Sequence, residues 1–487
     1  MAIDTYFATP RAMGMGGANT AAVDDTSAQY YNPGAFGFFG RQADEGGRAE
    51  ADNNNLAGKN WGADIGASAG YRLLNDFGLY ADTLSDIELE WLSEGINTQS
   101  DLEDLINLVS SLEGIAASES SIMADATAGG GARVGSYALG GRGYFSSVGW
   151  VDDLDRENLG VKLSEESLGE DIGKTDVEGY EEGSDSYEYR VFSEDQRNNL
   201  ANSLGVDDED DEAIRKLDYI AAEEGIKKSD VDGAVDLLGA VADASGDGSL
   251  EDNTTTVMLS GFGMGETAVS YGYAIDDRWS VGGNLKFMRG RVYGNKVVVF
   301  DEDADDILGE TDEKYNETDT FGIDMGVLAR FDKFNLGLMG RNLNSPKFDG
   351  FTETVELSNG QNMKLHVDDV KLEPQITAGA AYFPIPTVAL AADLDLLEND
   401  TLLGGYDSRK LSLGAEWDVF RILALRAGTY RNLSESGIGW VYTAGLGLNL
   451  WLARIDVAGA ICPDTSEVDG EDVPEEARVA AEISVDF

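Results

Sequence analysis

The last ten residues alternate strictly. Val479, Ala481, Ile483, Val485 and Phe487 fall on one face, and Arg478, Ala480, Glu482, Ser484 and Asp486 on the other. A period of two marks a strand with one apolar and one polar face. Ten residues is long for a soluble sandwich strand and suits a tilted membrane-spanning one. The pattern recurs upstream: Leu411, Leu413, Ala415, Trp417 and Val419 oppose Ser412, Gly414, Glu416 and Asp418. Leu390, Ala392 and Leu394 oppose Asp393 and Asp395, while Phe321, Ile323, Met325 and Val327 oppose Asp324 and Arg330. Charge on the second face predicts a polar, water-accessible lumen, which a dry sandwich core would not tolerate.

Connections alternate in length. Short turns are expected near Asp276-Asp277, Asp332-Lys333, Pro384–Pro386, Val419–Arg421 and Asn449–Leu452, with longer acidic stretches between them. Short turns on one side and long loops on the other are the mark of an outer-membrane barrel. Eleven strands fit from about residue 254 to the end, and three more fit near 61–73, 125–137 and 139–151. The pattern therefore predicts an all-β fold, a fourteen-stranded antiparallel transmembrane β-barrel with its C-terminus on the periplasmic side. That parity requires Thr254–Ile275 to be one strand, so a kink or bulge is expected at Gly261, Gly263 and Gly265.

Two insertions break the strand period. Ser100-x-x-Glu103 reads as a capping box ahead of Leu102, Leu105, Ile106, Val109 and Leu112 at helical spacing. Residues 152–253 form a strongly acidic block. Ser193-x-x-Gln196 opens one helix there, Ile214, Leu217 and Ile220 mark a second that Gly225 ends, and a third starts near Ser229. By parity both insertions, 74–124 and 152–253, lie outside the cell.

Composition sharpens this picture. The 487 residues carry 91 acidic against 35 basic side chains, a formal net charge of -56. That balance excludes nucleic acid as a partner, since phosphate contacts need clustered Lys and Arg. Glycine is abundant, at 60 against 8 prolines, as expected where backbones pack closely. One cysteine, Cys462, permits no intrachain disulfide, and one histidine, His366, permits no His-rich metal site. No catalytic constellation emerges, and no enzyme is expected. No run of 18 apolar residues offers a transmembrane helix. Met-Ala-Ile-Asp-Thr-Tyr lacks the regions of a signal peptide, so either the chain is not exported or its numbering starts near a mature end.

One motif concerns metal. From Asp243 to Asp252 the chain fits the first nine positions of a calcium loop. Asp243, Ser245, Asp247 and Glu251 stand at ligand positions 1, 3, 5 and 9, with Gly248 at the turn and Ser249 offering its carbonyl. Thr254 replaces the bidentate Glu of position 12, so weak calcium binding and a plain solvated acidic loop both remain open.

Near the N-terminus stands Pro10-Arg-Ala-Met-Gly-Met-Gly-Gly-Ala18, then Asp24-Asp25 and Tyr30-Tyr-Asn-Pro-Gly34. It lacks the Lys-Ser/Thr of a phosphate loop. It resembles instead the N-terminal segment of the FadL-like outer-membrane superfamily, which spans long-chain fatty-acid and aromatic-hydrocarbon transporters and PorV-type secretion proteins. The branch bearing the plasmid-transfer (conjugal transfer) TraF name looks most similar, with Asp101–Gly114, Gly129–Gly143 and Glu266-Thr-Ala-Val-Ser-Tyr-Gly-Tyr-Ala. The thioredoxin-like protein of that name is different, since this chain has no Cys-x-x-Cys.

The resemblance implies a hatch, residues 1–45, folded inside a barrel of residues 46–487. Arg11, Gly14, Gly16, Gly17, Asp24, Asp25, Asn32 and Pro33 would form it. Phe487 resembles the aromatic signal read by the barrel-assembly machinery. The resemblance implies passive transport of hydrophobic small molecules across the outer membrane, with sideways exit to lipid at a kinked strand, here Gly261–Gly265. The rival is a barrel that docks a secretion, conjugation or envelope protein.

Overall fold

In the computed structural model the described residues are 7–40, 56, 59–87, 92, 95–116, 120–156, 158–161, 167–181, 187–228, 230–243, 253–298, 314–356, 362–435, 437–450, 453–468 and 470–487. Fourteen antiparallel strands close a barrel. They are β1 (Trp61–Leu74), β2 (Ser121–Val134), β3 (Tyr137–Asp153), β4 (Thr256–Ala274), β5 (Trp279–Val298), β6 (Tyr315–Arg330) and β7 (Phe334–Arg341). The second half comprises β8 (Gln375–Ile385), β9 (Val388–Asp395), β10 (Lys410–Val419), β11 (Leu423–Asn432), β12 (Val441–Asn449), β13 (Arg454–Ile461) and β14 (Glu476–Asp486). β1 pairs with β14, from Gly62↔Asp486 to Arg72↔Glu476, which closes the ring.

The period-two pattern sorts the faces as expected. Ile65, Leu139, Leu285, Phe321, Leu338, Leu446 and Ile483 point outward and are exposed. Glu266, Lys286, Asp324, Asp393, Glu416 and Arg478 are buried in the lumen. Rings gather at the short-turn end: Trp61 stacks on Phe487 at 4.9 Å, Tyr137 meets Tyr271 at 4.8 Å and Phe331 stacks on Phe334 at 4.4 Å. Such an aromatic girdle marks a membrane interface, with a lipid-facing apolar band above it. The molecule is an outer-membrane β-barrel. Among the described residues, no helix is long and apolar enough to cross a membrane.

The barrel departs from the sequence expectations at three places. The second strand ends at Val134, because Gly135 takes φ +52 and turns the chain into β3. The first long helix starts at Gln99, and its capping box is formed by Thr98 and Asp101. The Thr98 hydroxyl accepts the Asp101 amide, and the Asp101 carboxylate accepts the Thr98 amide at 2.8 Å, so the shorter acid performs the reciprocal cap.

The third departure concerns Gly261, Gly263 and Gly265, where no bulge occurs. β4 pairs without interruption to both neighbours across this stretch. These glycines face outward, and Gly263 lies under the rings of Tyr293 and Phe145, which restore the packing that glycine lacks. They also lie too high for a gap into lipid. Gly263 pairs with Arg291 and Gly265 with Arg289, and these outward arginines bind Glu317 and Asp319 at 2.7 Å. Exposed ion pairs belong above the hydrocarbon.

A different break exists between β6 and β7. Their ladder runs from Arg330↔Asn335 only to Met325↔Gly340, so Tyr315–Asp324 of β6 rises without β7 beside it. The chain from Leu343 to Gly350 fills that place. Leu343 N donates to Ile323 O at 2.9 Å, and Asn344 accepts the Ile323 amide and donates to Phe321 O at 2.8 and 2.7 Å.

Both insertions build one helical lobe at the long-loop end. Its helices are α3 (Phe77–Asp86), α4 (Gln99–Ala116), α5 (Leu168–Lys174), α6 (Glu194–Leu204), α7 (Glu212–Glu223) and α8 (Val231–Asp243), following two short hatch helices, α1 (Pro10–Gly14) and α2 (Ala28–Tyr31). Leu105 and Val109 share a core with Leu217, Ile220, Val235 and Leu238. Ser193 and Gln196 form the expected capping box of α6. The calcium-loop positions Ser245, Asp247, Ser249 and Glu251 lie outside the described residues, as does the side chain of Asp243.

Candidate functional site: the hatch and the lumen

Residues 7–39 lie buried in the lumen, touching strands around the whole wall. Local chemistry shapes this segment. Thr9 caps α1, and Pro10 occupies its first turn, where a missing N–H costs nothing. Asn32 is extended and its Oδ1 accepts Gly34 N at 3.0 Å, which starts a 3₁₀ turn over Pro33–Phe38. Its Nδ2 donates to Val327 O at 2.9 Å and Thr20 O at 3.0 Å, tying the turn to β6.

Arg11 is the hatch's main anchor. Its guanidinium binds Glu416 through Nε at 3.0 Å and Nη2 at 2.9 Å, and Asp24 through Nη1 at 3.0 Å. Glu416 also receives Arg426 at 2.6 Å, and Arg426 reaches Asp456 at 2.7 Å, so a buried chain of alternating charge crosses β10, β11 and β13. Paired, forked geometry of this kind is what makes a buried charge tolerable. Asp393 Oδ2 accepts the amides of Asn19 and Thr20 at 2.9 and 2.8 Å. Asn284 and Arg341 clasp the carbonyls of Gln29 and Tyr30 at 2.7 and 2.8 Å.

Inward-facing glycines complete the seat. A Cβ on Gly282 would strike Pro33, and one on Gly428 would strike Gly16. Gly16 itself has φ +65, a turn no other residue makes cheaply. Gly14 and Gly16 bracket Thr443, whose hydroxyl donates to Gly14 O and accepts Gly16 N, both at 3.1 Å. Gly17 packs near Ser412, and Asp25 accepts both the amide and the hydroxyl of Ser27. The sequence points to the hatch residues and places Asp393 and Glu416 on inward faces without showing what they bind, and it does not single out Arg426 or Asp456. The only signal was charge on the inward face of a strand.

Above the hatch the lumen holds two packed apolar clusters beside a cavity of about 100 Å³ whose lining includes Arg341, Gln375, Thr377, Asp395 and Lys410. Met258, Phe262, Met264, Met288 and Val292 line one wall, and the loop after β7 lays Phe348, Leu365 and Val367 against them. In a second cluster Met123, Val148, Tyr430 and Val441 meet Leu403 and Tyr406 from another loop, together with Phe7 and Met13 of the hatch. Trp150 and Leu402 pack on both clusters. Below the hatch lies a charged cavity of about 410 Å³, lined in part by Arg11, Asp24, Lys59, Glu416, Asp418 and Arg454.

Two single residues find simple settings. His366 is exposed, with Nδ1 sharing a hydrogen bond with Thr352 at 2.8 Å. Cys462 is buried at the rim beside Asp464 and Glu475. Burial pushes the Cys462 thiol up to about 11, and burial with the charge of Asp464 pushes Glu475 up to about 7.

Known proteins resemble the chain in architecture. A TodX variant described as a monoaromatic hydrocarbon channel matches with TM-score 0.48 and 10% identity, covering 99% of each chain. The toluene transporter TodX of P. putida matches with TM-score 0.46 and 12% identity, covering 100% of this chain and 99% of its own. The toluene transporter TbuX of Ralstonia pickettii matches with TM-score 0.45 and 11% identity, covering 98% and 97%. No curated protein matches the chain. Residues 82–395, well over half the length, match the family described as "F plasmid transfer operon, TraF, protein", and the chain belongs to that family.

Proposed function

We propose that this barrel passively carries hydrophobic small molecules from outside the cell into the outer membrane. The observation that carries the reading is the pair of apolar clusters in the upper lumen. A water-filled pore has a polar interior, whereas Met258, Phe262, Met264 and Met288 face inward here and meet Phe348 from a loop. Methionine and loop side chains repack readily around varied apolar guests. A molecule held there meets the charged hatch floor, which it cannot cross without heavy desolvation of the ions.

The open side of β6 supplies the exit. Ile323 and Phe321 are paired with Leu285 and Phe287 at lipid level, and only the Leu343–Gly350 segment closes the wall beside them. Toluene is the natural first probe, since similar barrels are named as toluene transporters.

A disulfide between I323C and L343C tests both parts. In whole cells the oxidised variant should lose toluene uptake and regain it on reduction. Uptake indifferent to the bond overturns the β6 exit alone. A wild-type barrel that neither binds nor passes toluene or a long-chain fatty acid overturns transport itself.

The second reading, a docking platform, is favoured by one observation. The lobe has a hydrophobic core of its own, as a partner-binding module would. Excising residues 152–253 should then abolish capture of an envelope or secretion protein while leaving uptake unchanged.

A further inference from the structure

We infer that the periplasmic end of the lumen holds a hydrated divalent cation that ties the hatch to the seam where the barrel closes. Glu482 of β14 is 7% exposed, and its Oε2 is buried with no hydrogen-bond partner among the described residues. No ion pair reaches it there, although Asp25 and Asp64 repel it. It faces a cavity of about 140 Å³ that Asp25 and Asp64 also line. Asp64 Oδ1 is likewise buried without a hydrogen bond.

The cations that line or border the cavity bind other carboxylates, and Arg142 lies over the Tyr30 ring at 4.5 Å. Lys59 binds Asp486 at 2.8 Å and Asp24 at 3.6 Å, and Arg454 binds Asp456 at 2.9 Å. Arg133 pairs with Asp486. Three carboxylates therefore face one small cavity. Arg142 attracts Asp64 and Glu482, yet no ion pair to Glu482 forms among the described residues, and a buried carboxylate left so is costly. The remaining donors at its edge, Thr26, Ser484 and Asn449, are oxygen-bearing side chains, the hard set that magnesium and calcium prefer.

The carboxylates surround the cavity rather than converge on one point. Among the described residues the one tight group of three acidic or thiol ligands is Cys462, Asp464 and Glu475. The occupant therefore keeps much of its water and is held through it, as magnesium characteristically is. The three carboxylates come from separate parts of the chain: Asp25 from the hatch, Asp64 from the first strand and Glu482 from the last. Gly66 and Glu482 are partners across the closing seam, as are Asp64 and Ser484. An ion at this point links the hatch to both strands that complete the barrel. This inference does not rest on the transport reading.

The test uses the full chain in detergent, stripped with chelator and titrated with magnesium or calcium chloride. Acidic lobe residues will also bind ions, so the readout is local: hydrogen exchange of the hatch amides around Thr26 and Ser27. In the wild type either salt should slow that exchange, and Glu482→Gln or Asp64→Asn should weaken the response about 10–100-fold in ion concentration. A control, Asp247→Ala in the acidic lobe, should respond as the wild type does. Wild-type exchange that ignores both salts overturns the inference, as does an unchanged response in Glu482→Gln. Slowing produced by acid alone, with no effect of either salt, also overturns it, because protons would then be relieving the charge.

Discussion

Arg11 shows how much a single side chain decides in this molecule. It links the hatch to Glu416 across 405 positions of sequence, and its other contacts, Asp24, Asn19 and Ala22 O, fold the hatch upon itself. Removing Arg11 leaves Glu416 paired with Arg426, so the cost is that of the lost charged hydrogen bonds, about 1.5–3 kcal/mol. Arg11→Ala should therefore loosen the hatch, seen as faster hydrogen exchange over residues 10–24 with the barrel ladder still protected. Equal protection of the hatch in variant and wild type would refute the anchor. Motif reading singled out Arg11 but had no means to name Glu416, because inward charge on β10 looks the same whether it meets water or a hatch.

At the scale of elements, the hatch and strands fit because certain strand positions carry no side chain. Gly282 and Gly428 let the hatch backbone lie against the wall, and a methyl group at either would collide with it. Gly282→Ala should leave the strands intact and displace the hatch, giving a larger ion conductance in planar bilayers. Gly265→Ala, where nothing lies within 4 Å of the added methyl, should conduct as the wild type does. Glycine abundance was evident from composition, yet the roles of the glycines differ by face. Outward ones at 261 and 263 lie high on the wall beside aromatic rings, the one at 265 faces open space, and inward ones make room for the hatch. A face can be read from sequence, but what lies against it cannot.

For the whole molecule, the joint between lobe and rim carries a pH signature. Partial burial, with the charges of Asp464 and Asp76 nearby, pushes the Glu475 carboxyl up to about 7. A carboxyl whose folded value is raised binds its proton more tightly when folded, so the folded state gains stability as pH falls through 7 and loses it as pH rises. The window runs from about 7 down to the ordinary carboxylate range near 4.5. Thermal midpoints measured at pH 5.5 and pH 8 should differ in that direction, and Glu475→Gln should shrink the difference. An undiminished difference in that variant would place the effect elsewhere among the many carboxylates.

Alternation by itself determined that the chain makes strands, how many, and which residues face lipid. The period of two is a property of each strand's own backbone, and short and long connections then fix the parity. The alternation from Arg478 to Phe487 needed no tertiary information to be recognised. Only the closed structure decided where each strand lies relative to its neighbours, since closure staggers the strands. That stagger lifts Gly261–Gly265 to the level of Arg289 and Arg291, ends the β6 ladder at Met325, and brings Asp64 and Glu482 beside Asp25. These contacts join residues hundreds of positions apart, and no local pattern encodes a stagger that only the completed ring imposes.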